Sequence, residues 1–187
     1  MLWSYRLLFL AAAAFPAAAQ SSGVSTEWDV RKLLDNLAQQ TQHLQSVLDQ
    51  IKPDDWVANG APQTYVTQWK TAHAEMKYLL GSTDALAKQP EKLTAALDAY
   101  FRMQAMGTTL GSVIEGIRKY QNPAVADLLQ AVVNENSGNR DRLRQYVQDL
   151  ATQKEQEFQV ADREAQRCRA MLLKEPAPNR SGRSKPK

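Results

Sequence analysis

Apolar residues recur along most of this chain in steps of four and three. The clearest run lies between Asp29 and Ile51, where Val30, Leu34, Leu37, Thr41, Leu44, Leu48 and Ile51 follow one another at that spacing. A strand would alternate every second residue; four-three spacing sets these side chains on one stripe of a helix. Pro53 stops this helix. Asp54-Asp55-Trp56 and Asn59-Gly60-Ala61-Pro62 then read as a connection, because Asn-Gly and a following Pro favour turns.

The pattern resumes at Gln63 or Thr64 with Tyr65, Trp69, Ala72, Met76, Leu79, Thr83 and Leu86. Gly81 interrupts it at a cost of about 1 kcal/mol relative to Ala, but the phase holds, which favours one helix. Gln89-Pro90-Glu91 closes it, with Pro90 expected near the first position of the next helix. That third helix runs to about Tyr120, with Leu93, Ala96, Tyr100, Met103, Gly107, Leu110, Ile114 and Ile117 on its face. Gly107 and Gly111 are expected to make room for a bulky neighbour such as Trp69 or Tyr65. Asn122-Pro123 is a start signal, a capping residue followed by Pro at the first helical position. Val125, Leu129, Val132, Asn136, Asn139, Leu143, Tyr146 and Leu150 continue the period. Asn134 to Asn139 has the composition of a loop, yet the phase passes through it, so the helix is expected to weaken or break near Ser137-Gly138. Beyond Leu150 the stripe shifts and thins to Phe158, Ala161, Ala165, Cys168 and Leu172 within a strongly charged run.

These elements predict an all-α, up-and-down bundle of four helices, or five if the last one breaks. A long charged C-terminal helix and a disordered basic tail over 174–187 complete it. Residues 27–173 form the bundle domain with its distal extension. Before them, 20–26 is a polar leader and 1–19 has the pattern of a secretory signal peptide. Arg6 precedes the apolar stretch Leu7 to Phe15, and Ala17-Ala18-Ala19 offers small residues for cleavage after Ala19. The apolar stretch is shorter than the roughly 20 residues a membrane helix needs. No cysteine follows it, so the lipoprotein route lacks its acylated residue. The expected destination is secreted or periplasmic.

Charge changes this picture little. The formal net charge is +3, but basic residues concentrate in the tail, at Lys174, Arg180, Arg183, Lys185 and Lys187, and the body is near neutral. The basic character therefore argues for no specific nucleic-acid binding. The tail lacks aromatic residues for base stacking; an anionic envelope component is the partner its charge fits. Cys168 is the single cysteine, so no intramolecular disulfide forms, and an intermolecular one is the functional alternative to a free thiol.

Motifs for catalysis are missing. The chain has no HExxH, Walker loop, GxGxxG, GxSxG or CxxCH. At 100° per residue, His43 lies roughly 140° from Val30 and faces solvent, while His73 sits about 80° from Tyr65 at a stripe's edge. The first helix, Pro53-Asp54-Asp55-Trp56 and a helix bearing His73 resemble the DinB-like metal-dependent bundles over Leu44 to Leu80. That family takes further histidines from later in the chain; none follows His73 here, so its metal chemistry does not carry over. Asp54-Asp55 beside Trp56 suggests either a sugar or cation contact or a ring tucked over the bundle end.

The sequence thus points to an exported, non-catalytic helical protein without cofactor, acting on a protein or envelope partner. Phe158, Arg163, Arg167 and Leu172 mark the candidate surface, and the distal helix offers a route to a homodimer. The competing expectation is a small-ligand, metal or haem-binding bundle, using space beside Gly107 and Gly111 with Trp69, Met76, Tyr100 and His73.

Overall fold

The computed structural model describes residues 27–174. The expected signal peptide, the leader and the tail beyond Lys174 lie outside the described residues. Helix α1 spans Glu27–Leu48, α2 Pro53–Ala58, α3 Thr64–Lys88, α4 Leu93–Tyr120, α5 Pro123–Glu135 and α6 Ser137–Lys174. No strand occurs among the described residues. The fold is an all-α bundle.

Four helical rods pack in a ring, each antiparallel to the next. Helix α1 packs on α3, α3 on α4, α4 on the α5–α6 rod, and that rod back on α1. The six stripe residues within α1 and Ile51 just beyond its end are all buried, as the four-three spacing requires when both flanks of a helix are covered. Helix α4 buries a wider arc than one stripe. Ala99, Met106, Val113 and Gly116 join Ala96, Met103, Leu110, Ile114 and Ile117, because α4 faces α3 on one side and α5–α6 on the other.

Asp54-Asp55-Trp56 is helix rather than open connection. Helix α1 ends at Leu48, before the expected stop at Pro53, and Pro53 instead supplies the first residue of α2, where a missing N–H costs nothing. Trp56 is 3% exposed and closes one end of the bundle, meeting Tyr65 edge-on at 6.2 Å between centroids. Tyr65 in turn meets Tyr120 at 5.4 Å. Trp69 donates its indole N–H to the Leu48 carbonyl (3.0 Å), pinning the last turn of α1 to α3. Pro90 lies in a turn, and α4 begins three residues later than expected, at Leu93.

The glycine that admits a large neighbour is Gly116. A Cβ there would stand 2.7 Å from Tyr65 Cδ1 and 3.0 Å from Trp56 Cζ3, whereas Gly107 and Gly111 have nothing within 4 Å of that position. The spacing of Gly107 and Gly111 therefore reflects no packed side chain.

Asn122 caps α5 as its sequence predicts, its Oδ1 accepting from the Ala124 N–H at 2.9 Å. The interruption between α5 and α6 falls at Asn136, ahead of Ser137-Gly138. It is shallow: Asn136 keeps right-handed helical angles (φ −72°, ψ −13°), and the Arg140 N–H donates to its carbonyl at 3.1 Å. The chain does not fold back there. Both α5 and α6 lie along α4 and α1, so the two helices form one rod.

A pair of substitutions separates the glycines. Gly116→Ala is expected to destabilise the fold by about 1–2 kcal/mol, since the aromatic rings must shift. Gly111→Ala is expected to stabilise it by about 0.5–1 kcal/mol through helix propensity alone. Urea denaturation of both variants reads the two signs.

Candidate interaction surface

Two contacts set the level at which the bundle ends. The Asn139 amide donates to Gln40 Oε1 at 2.6 Å, fixing α6 against the middle of α1. Seven residues on, the Tyr146 hydroxyl donates to the Pro90 carbonyl just before α4 begins. Burial pushes the Tyr146 phenol above its ordinary value, and the nearby Glu91 carboxylate adds to this. Tyr146 thus stands level with the start of α4, and the groove beside it is lined by Val30 and Leu33 from the start of α1. Leu150 is the last buried residue of α6.

Every residue from Glu155 to Leu173 is exposed. At 1.5 Å per residue this arm is about 28 Å long. Its polar side satisfies itself within the helix. Lys154 pairs with Glu157 at 2.9 Å, and together with a hydrogen bond from Gln153 holds that carboxyl below its usual range. Gln166 donates to Asp162 at 2.8 Å, and Arg163 Nε to the Gln159 carbonyl at 3.1 Å. Among the described residues, nothing covers its apolar side: Phe158 is 73% exposed and Leu172 71%. Ala161, Ala165 and Cys168 lie between them, also exposed.

The structure therefore places Phe158 and Leu172 on one stripe. Arg163 and Arg167 are exposed on the same arm. Sequence reading missed Met171 and Leu173, which with Leu172 make the described end of the arm apolar. The adjacent Met-Leu-Leu triplet was the available signal; a one-stripe pattern admits only its middle residue.

The alternative site does not assemble. Trp69 and His73 pack ring against ring at 4.4 Å, and His73 Nδ1 lies 3.6 Å from the Asp49 carboxylate at the end of α1. Neither lines the cleft beside Gly107. That cleft, about 150 Å³, runs between α4 and the α5–α6 junction and is lined by Leu44, Met103, Met106, Leu110 and Asn136. His43 is exposed on the outer face of α1. Among the described residues, no three of His, Cys, Asp and Glu converge as metal ligands, and no helix is long and apolar enough to cross a membrane. Trp56 is buried, and its edge lines, with Asp55, Lys52, Asn59 and Tyr120, a shallow groove at that end of the bundle.

No protein family, curated protein or solved structure matches the chain.

Asn136 is a stripe residue whose chemistry opposes its place. It is 4% exposed, its Nδ2 donates to the Val132 carbonyl at 3.4 Å, and among the described residues its Oδ1 has no partner. A buried carbonyl left unpaired costs about 1–3 kcal/mol. Asn136→Leu, beside the open cleft, is expected to raise unfolding stability by about 1 kcal/mol. A loss of stability in thermal unfolding would mean that the amide is satisfied by a bound molecule.

Proposed function

We propose that this is an exported, non-catalytic protein in which a four-helix body carries the α6 arm as a docking helix. The observation behind this reading is the unbroken exposure of Glu155 to Leu173 with a heptad-spaced apolar stripe along it. An apolar stripe on a helix is stable in water chiefly when a partner covers it, and a single helix this short gains little from propensity alone. The self-paired polar side favours helical structure in the arm before a partner arrives. Export follows from Arg6, the stretch Leu7 to Phe15 and the alanines before Gln20.

The reading separates docking from folding. Phe158→Asp with Leu172→Asp alters only exposed side chains, so the body is expected to keep its stability within about 0.5 kcal/mol. In extracts of the exported fraction from the native host, the wild-type chain, its N terminus at Gln20, is expected to sediment as a complex. The double variant is expected to lose at least tenfold of that complex. Equal recovery from both chains would overturn the docking role of the arm; a wild-type N terminus at Met1 would overturn export.

A further inference from the structure

Charge divides the arm. The half nearer the body holds Glu155, Glu157, Asp162 and Glu164 against Arg163. Beyond Glu164 the sequence carries Arg167, Arg169, Lys174, Arg180, Arg183, Lys185 and Lys187 against one acid, Glu175. An anionic surface therefore repels the near half and attracts the far end, where each basic residue close to it strengthens binding about fivefold.

The far end is also where the arm is most apolar. Met171 is 61% exposed, and Leu173, at 87%, is the most exposed large apolar residue described. Consecutive residues on a helix stand 100° apart, so Met171, Leu172 and Leu173 fan over roughly 200° of its circumference. One helix seated on the stripe covers Leu172 and leaves the other two in water. A lipid layer closes around all three at once. Arg167, Arg169 and Lys174 then reach past them to the headgroups, since their stems lie among apolar groups while the charged ends stay outside. A charged polymer supplies the countercharge without the apolar layer.

The body decides how such a layer approaches. Asn139, Leu143, Tyr146 and Leu150 define the side of α6 facing α1 and α4. At 100° per residue, the stripe from Phe158 to Leu172 is rotated from that side by only roughly 50°. The bundle thus stands on the side to which the stripe turns. Phe158 is about 12 Å beyond Leu150 along the helix, so a flat layer following the stripe back to it would run into the bundle end. The far end of the arm is clear of this obstacle. Among the described residues no helix is long and apolar enough to cross a bilayer, so the contact is with one face of the layer.

We infer that the α6 arm docks end-first on an anionic lipid bilayer, through Met171, Leu172 and Leu173 and the basic residues around and after them. This rests on the docking role proposed above and names its partner. Of the stripe, Leu172 enters the layer and Phe158 stays outside, so the loss expected of the double variant falls on Leu172. Cys168, one turn before Leu172, lies at the level of the headgroups.

The test uses the purified full chain from Gln20 and vesicles of phosphatidylcholine with or without phosphatidylglycerol. Cosedimentation is expected to show at least tenfold tighter binding to the anionic vesicles, weakening as salt rises. Met171→Ser with Leu172→Ser and Leu173→Ser is expected to lose at least tenfold of that binding, and Phe158→Ser to keep it within about twofold. A polarity-sensitive dye on Cys168 is expected to shift to the blue on anionic vesicles; the same dye on Thr152→Cys, with Cys168→Ser, is expected not to. Equal binding to both kinds of vesicle, or full binding by the triple serine variant, overturns the anionic lipid layer as partner. A blue shift from residue 152, with a loss in Phe158→Ser equal to that of the triple variant, overturns the end-first approach. If neither vesicle is bound while complexes in the host extract still depend on Phe158 and Leu172, the lipid partner is overturned and the docking role stands with a protein.

Discussion

A helix buries its apolar stripe only along the length of its neighbours. In this protein the neighbours of α6 are α1 and α4, and the end of the bundle runs from Tyr146 to Leu150, both still buried. That level is held from two directions: Asn139 bonded to Gln40 across the interface, and Tyr146 bonded to the Pro90 carbonyl beneath α4. Slipping α6 along the bundle would break both bonds and leave partly buried polar groups unpaired, where a lost partner costs more than the bond contributes when made. With the level held, Leu150 becomes the last position that can be buried, and the rest of α6 has nothing described to lie on.

The rest of the architecture serves that alignment. Trp56, Tyr65 and Tyr120 close the opposite end, with Gly116 giving the rings their space. Arg118 bridges to Asp127 at 3.0 Å across the α4–α5 turn, starting the α5–α6 rod down the side of α4. The shallow interruption at Asn136 leaves the rod running on, so α5 and α6 together match α4 and then outrun it. The arm is thus a consequence of length: the rod is longer than the body it helps to build.

Most of the body was legible because burial in a helical ring imposes one period. The α1 stripe was read save for Leu33, which is also buried, and so were Leu129, Val132, Asn136, Asn139, Leu143, Tyr146 and Leu150, since the phase carried through a segment whose composition argued for a loop. Helix α4 was half read. It faces two neighbours, and a single stripe omits Ala99, Met106 and Val113. The glycine pattern misled for a different reason: Gly107 and Gly111 share a familiar spacing, while the close approach falls on the isolated Gly116, set by where Pro53 and α2 deliver Trp56. No local signal encodes that meeting. The exposed stripe was legible as a change of phase after Leu150; its relation to the α1–α4 side of the rod needed the level of the bundle end.

The central claim is that α6 leaves the body at Leu150 as a helix that no described part of the chain covers. Amide hydrogen exchange followed against protein concentration tests this most directly. Protection up to Leu150 should be strong and independent of concentration, as for a packed core. Protection over 155–173 should be weak in dilute protein, as for a helix without packed neighbours. Strong protection of 155–173 at every concentration would mean that the chain covers its own arm, and would contradict the account.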